Sequence, residues 1–127
     1  MLDHVPATSP DGDPLWDPQR TLERMGDDEQ LLYNMIDYFQ EDAPKLLAKL
    51  GTSLQQNDMS EATRFAHSLK GLCANYDAAK AVDTANRIEE CCRKSDSAAA
   101  GSHLAHLEGR VVALGAALKL WQNGRQF

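Results

Sequence analysis

The chain lacks the features that define several large classes of protein. It has three cysteines among 127 residues, and two of them, Cys91 and Cys92, are adjacent. An odd number of cysteines at this spacing is not a disulfide framework, so we expect reduced thiols and assign Cys91 and Cys92 no role. No apolar run approaches the roughly 18 residues of a membrane span. Residues 1–20 are rich in aspartate and proline and do not resemble a signal peptide. These absences predict a cytoplasmic protein without a membrane partner.

Positive charge and nucleotide-binding loops are also scarce. The chain has 13 lysines and arginines against 19 aspartates and glutamates, which gives a net charge of −6. Binding to nucleic acid depends on clustered cations that replace counterions along the phosphates, so this balance favours a protein partner instead. Neither a GxxxxGK[ST] loop nor a GxGxxG loop occurs, and the chain is therefore not expected to use ATP itself.

The hydrophobic pattern is that of helices along nearly the whole chain. A length of 127 residues with 43% hydrophobic residues suits one domain, which we assign to residues 15–127, after a flexible segment or linker at residues 1–14. Apolar residues recur at three- and four-residue steps, and Pro44 suggests a break between two of the helices. The predicted helices span residues 18–25, 28–40, 44–56, 58–76, 78–93 and 97–122. Short connections between amphipathic helices favour antiparallel neighbours, so the predicted fold is all-α, an up-down antiparallel four-helix bundle with a short extra N-terminal helix.

One short run, residues 66–71, combines a histidine, a lysine and a glycine on a predicted helix. At about 100° per residue, His67 lies opposite the apolar stripe of this helix and is predicted to be exposed. The stripe consists of Ala62, Phe65, Ala66, Leu69, Leu72, Cys73 and Tyr76.

The neighbours of His67 on its own face suit phosphoryl chemistry. A neutral imidazole is a competent nucleophile near physiological pH, and an exposed one can meet a phosphoryl donor on another protein. Lys70 and Arg64, one turn to either side, can place positive charge beside phosphoryl oxygens. A glycine inside a helix costs roughly 1 kcal/mol relative to alanine, so Gly71 indicates that a side chain there would obstruct the approach to His67. The small side chain of Ala74, on the same face of the helix, also leaves the surface beside His67 unobstructed.

The chain resembles the histidine-containing phosphotransfer (HPt) domains of phosphorelays. Two segments carry the resemblance. In residues 15–42 and just after, the matching positions are Leu22, Gly26, Asp27, Asp28, Leu31, Leu32, Phe39, Ala43 and Pro44. In residues 58–94 they are the run 66–71, Ala74, Asn75, Ala78, Ile88 and Glu89.

The resemblance implies a fold and a function. His67 would be the phospho-accepting residue, Lys70 its charge partner and Gly71 the clearance position. His67 would take a phosphoryl group from the aspartate of one response-regulator receiver domain and pass it to the aspartate of another. The partners would thus be receiver domains and a hybrid sensor histidine kinase. The chain, a monomer in the simplest case, would be a phosphocarrier without a cofactor of its own, because the Mg²⁺ would belong to the receiver.

Several points stay open at the level of sequence. The family often has glycine just before the Ala78 position, where this chain has Asp77, and this aspartate could cap the next helix. The candidate docking residues are Thr63, Ala74, Leu22, Met25 and Met35, of which the last three also fit the core. Two other functions remain as alternatives. One is a helical docking module that is not phosphorylated, and the other is the substrate domain of a larger histidine kinase. His103 and His106 lie one turn apart without a third ligand nearby, so no metal site is predicted.

Overall fold

The computed structural model describes residues 14–127, which fold into five helices. These are α1 (Pro18–Arg24), α2 (Glu29–Gln55), α3 (Met59–Ala74), α4 (Ala79–Arg93) and α5 (Ser97–Asn123). The predicted all-α class is confirmed. The predicted N-terminal segment, residues 1–14, lies outside the described residues except for Pro14. No helix among residues 14–127 is long and apolar enough to cross a membrane.

The four long helices form the predicted bundle. Helix α2 packs against α3 and α5, and α4 packs against the same two helices, which closes a ring around one core. Connections of only three or four residues join α2 to α3, α3 to α4 and α4 to α5. The largest buried side chains of the core are Tyr76, Phe39, Leu32, Ile36, Leu50, Leu69, Ile88, Leu107, Leu114 and Leu118. Cys73 is also buried there, and burial raises the pKa of its thiol to about 12.

The predicted break at Pro44 is wrong, because α2 continues through this proline. A proline inside a helix removes one backbone hydrogen bond and costs about 3 kcal/mol. Pro44 lies on the exposed side, and the apolar stripe keeps its register past it, with Phe39 and Ala43 buried before Pro44 and Leu50 buried after it. Burial of this continuous stripe against α3 and α5 outweighs the local cost.

The turns before the long helices share one construction. Each has a residue with positive φ, namely Asp27, Asn57, Asp77 and Ser95, followed directly by the N-cap residue. In three of the turns an aspartate caps the helix by accepting a hydrogen bond from a backbone N–H three residues on. The N-cap of α4 is Ala78, which makes no side-chain cap.

The prediction that Asp77 caps α4 is therefore wrong, and the carboxylate of Asp77 serves another purpose. It accepts hydrogen bonds from the Thr21 hydroxyl at 2.7 Å and from the Arg24 guanidinium at 2.6 Å. Both donors belong to α1, so Asp77 ties the short N-terminal helix to the turn between α3 and α4.

Candidate functional site

His67 lies on the exposed face of α3, opposite the apolar stripe, as predicted. Its side chain is 65% exposed. The opposite face of α3 is buried in the bundle, through Ala62, Ala66, Leu69 and Cys73.

A buried carboxylate lies behind the imidazole ring. Glu89 of α4 is 0% exposed, and its Oε2 atom is 3.1 Å from Nδ1 of His67. The same carboxylate is 2.7 Å from the ammonium of Lys70 through Oε1, and it also pairs with Arg93 one turn along α4. One carboxylate therefore links three basic side chains from two helices.

Electrostatics keep Glu89 ionised. Burial by itself would raise the pKa of this carboxyl, but hydrogen bonds from Lys70 and His67 and the charges of Lys70 and Arg93 outweigh burial, so the pKa lies below its usual range. An ionised carboxylate can only accept hydrogen bonds, and Nδ1 of His67 must therefore be the donor. In the neutral ring this leaves the lone pair on Nε2, the nitrogen away from Glu89.

Lys70 is held in place from α4. Its ammonium donates a hydrogen bond to Oδ1 of Asn86 at 3.1 Å in addition to its ion pair with Glu89, and the side chain is only 27% exposed. A cation fixed one turn from an exposed imidazole can meet phosphoryl oxygens without first being ordered.

The surface beside His67 is low and open. Gly71 is exposed, and a Cβ atom built at this position would meet nothing within 4 Å. Ala74, one turn further, lines a groove of about 740 Å³ together with Lys70 and Asn86, and α1 contributes Arg20 to its wall. The domain itself gives no packing reason for a glycine at position 71.

The sequence matches a known family. The family model of the Hpt domain matches residues 34–117, which is more than half of the chain and includes His67, Lys70 and Glu89. The chain belongs to the Hpt domain family.

A solved structure agrees with this assignment at the level of fold. The crystal structure of histidine-containing phosphotransfer protein B (HptB) from Pseudomonas aeruginosa PAO1 aligns with a TM-score of 0.83 and 21% sequence identity. The alignment covers 89% of this chain and 98% of that one. No curated protein sequence matches the chain.

Arg64 is not part of the cluster that the Hpt domain builds around His67. Its guanidinium makes two hydrogen bonds to Glu61, at 3.0 and 2.6 Å, and lies over the ring of Phe65. Thr63 is half-buried, and its hydroxyl donates a hydrogen bond to the carbonyl oxygen of Met59.

The other candidate docking residues of the Hpt domain contribute to its core. Leu22, Met25 and Met35 are half-buried and pack against the core, and none of them lines the groove beside Lys70. Their role in docking stays a prediction. Within residues 14–127, no cluster of three or more His, Cys, Asp and Glu side chains could hold a metal ion.

Sequence analysis did not identify the role of Glu89, although a signal was present. The predicted apolar face of α4 contains Ala85, Ile88 and Cys92, and Glu89 lies one turn after Ala85 on the same side. A carboxylate at such a position is almost never buried without a partner. That conflict could have pointed to a cationic partner on a neighbouring helix, but the partner itself follows only from the packing of α4 against α3.

Proposed function

We propose that this chain is a phosphorelay intermediate. His67 accepts a phosphoryl group from the aspartyl phosphate of a receiver domain and passes it to the aspartate of another response regulator. Membership of the Hpt family supports a role in phosphotransfer within two-component systems. The observation that carries the proposal is the exposed ring of His67 with its Nδ1 atom held 3.1 Å from a buried carboxylate.

This geometry leaves the chemistry divided between two proteins. The Hpt domain offers Nε2 of His67 as the nucleophile and Lys70 as a positioned cation. The receiver supplies the phosphorylated aspartate and the Mg²⁺ that neutralises the phosphoryl oxygens. On this proposal the chain is a phosphocarrier and not a kinase, and a hybrid sensor kinase stands upstream of it.

Label transfer from receiver domains tests the proposal. Receiver domains charged with a small radiolabelled phosphodonor are mixed with the wild type, with His67→Gln and with His106→Gln, a second histidine on α5. We expect acid-labile, base-stable label on the wild type and on His106→Gln, and none on His67→Gln. Since the His67 side chain is 65% exposed, the His67→Gln variant should keep the helical circular dichroism and the Tm of the wild type.

The other outcomes of this experiment identify the alternative functions. Label on His67→Gln would move the acceptor to another residue. A receiver that binds without transferring label would identify a docking module. If no receiver transfers label, a second assay with an ATP-bound histidine kinase domain follows, and label on His67 in that assay alone would identify the substrate domain of a larger histidine kinase.

A further inference from the structure

We propose that Glu89 keeps a proton on Nδ1 of His67 throughout the transfer, so that the phosphorylated ring is a cationic imidazolium. This inference rests on the proposed function and specifies the chemical state of its intermediate. Glu89 is then a positioning residue, because it acts on the phosphoryl group only through the ring of His67.

The transfer step balances without a proton leaving the site. The lone pair of Nε2 forms the new P–N bond, while the P–O bond to the receiver aspartate breaks and its electron pair stays on the aspartate oxygen. Nδ1 already carries its proton, as the hydrogen bond to Glu89 requires, so the ring becomes positively charged. The return step to a second aspartate reverses these changes and regenerates the neutral ring with the proton still on Nδ1.

Burial makes Glu89 effective in this role. A carboxylate that is 0% exposed and 3.1 Å from Nδ1 acts on the ring through a medium of lower dielectric than water. An opposite charge close to an ionisable group favours its charged form. Glu89 therefore favours the cationic form of the phosphorylated ring.

The charges around the ring balance once the phosphoryl group is present. The phosphoryl dianion and the Glu89 carboxylate would face the cationic ring, Lys70 and Arg93, so the formal charges cancel. Two further cations, one on α3 and one on α2, have other partners. Arg64 is paired with Glu61, and Lys49 lies over the ring of Phe65.

Protonation also affects the reactivity of the intermediate. A neutral imidazole leaves phosphorus more readily than an imidazolate does, and the proton on Nδ1 makes the neutral imidazole the leaving group. A phosphoryl group on a cationic ring is thus ready for transfer to the next aspartate, at the cost of faster hydrolysis.

The protonation state can be read directly by nuclear magnetic resonance. The protein, with ¹⁵N-labelled histidine, is phosphorylated with phosphoramidate, and the Nδ1 resonance of phospho-His67 is followed from about pH 6 to about pH 9. The reference is a peptide of residues 64–70 treated in the same way. We expect the pH midpoint of the Nδ1 titration to be at least one pH unit higher in the protein than in the peptide. This difference corresponds to a tenfold higher proton affinity.

Two variants separate the charge of Glu89 from its shape. Glu89→Gln keeps a hydrogen-bond acceptor at Nδ1 but removes the charge, and its midpoint should fall toward that of the peptide, with slower hydrolysis of phospho-His67 at neutral pH. Glu90→Gln removes a charge from the next residue, which contacts Asn86. Its midpoint should remain within a few tenths of a pH unit of the wild type.

The results distinguish the inference from the proposed function. Failure of both phosphoramidate and a charged receiver to label His67 would contradict both. A labelled wild type that titrates like the peptide would overturn only the inference, and so would a folded Glu89→Gln variant with the wild-type midpoint. If Glu89→Gln does not fold, the comparison of the wild type with the peptide decides alone.

Discussion

Gly71 is a residue at which the isolated domain and its proposed partner make opposite demands. In the domain, a Cβ atom at this position would meet nothing within 4 Å, so any good helix former should improve on glycine. A partner that approaches His67, one turn away, would meet that side chain. We therefore expect Gly71→Gln to raise the free energy of unfolding by about 0.5 kcal/mol. The same substitution should slow phosphoryl transfer by about tenfold, or about 1.4 kcal/mol.

A matched control exists on α5. Gly101 is also an exposed helical glycine with open space around its Cβ position. Gly101→Gln should stabilise the fold by a similar amount and leave transfer unchanged. Urea unfolding and transfer from a charged receiver measure the two effects. Equal transfer rates for Gly71→Gln and the wild type would refute the clearance argument.

Residues close in sequence could be predicted, and residues joined only by packing could not. The exposure of His67 and the proximity of Lys70 follow from helical periodicity, because both lie on one face of α3. Glu89 is 22 positions from His67 in sequence. Its contact depends on the register of α4 against α3, which no local pattern contains. Arg64 shows a different limit. Its ion pair with Glu61 is local, but helical periodicity alone does not predict which neighbour it pairs with.

At the scale of helices and turns, Asp77 determines how α1 is attached. Its carboxylate accepts hydrogen bonds from Thr21 and Arg24, and Arg20 lies within 3.7 Å. Asp77→Asn keeps a residue type that tolerates positive φ and removes the charge. We expect it to lower the free energy of unfolding by about 1 kcal/mol and to speed hydrogen exchange in α1 while α2 to α5 remain protected.

Asp27 provides the comparison for this substitution. It also has a positive φ and precedes an N-cap residue, but in the turn that leads into α2. Asp27→Asn should change the free energy of unfolding by no more than about 0.5 kcal/mol and leave exchange in α1 as it is. Equal effects of the two substitutions would show that Asp77 matters for its turn and not for holding α1.

Helix ends were easier to predict than the interior of α2. The predicted helix starts at residues 28, 58 and 97 lie within one residue of the observed starts, where Asp28, Asp58 and Asp96 make local capping hydrogen bonds. The predicted break at Pro44 was wrong because the effect of proline on the helix is local, whereas the apolar stripe that outweighs it runs from Leu32 to Leu50. The predicted cap at Asp77 was wrong for a related reason. In a single sequence, an aspartate that caps a helix cannot be distinguished from one that binds another helix.

For the molecule as a whole, the ion-paired carboxylates of Glu89 and Asp77 predict how the stability of the bundle responds to acid. Burial would raise the pKa values of Glu89 and Asp77, but their cationic hydrogen-bond partners outweigh it and hold both pKa values below the usual range. The unfolded chain therefore takes up these protons at a higher pH than the folded chain does. Stability from both groups is complete above the ordinary carboxyl pKa of about 4 and is lost as the pH falls through the lower folded values.

Urea unfolding at about pH 7 and about pH 3 tests this coupling. The wild type should lose stability on acidification. Glu89→Gln and Asp77→Asn should each begin from a lower value at neutral pH and lose less, because one carboxylate no longer needs to be protonated. The two effects should add, since Glu89 and Asp77 share no hydrogen-bond partner among the described contacts. An acid-induced loss of stability equal in all three proteins would mean that other carboxylates control the response of the bundle to pH.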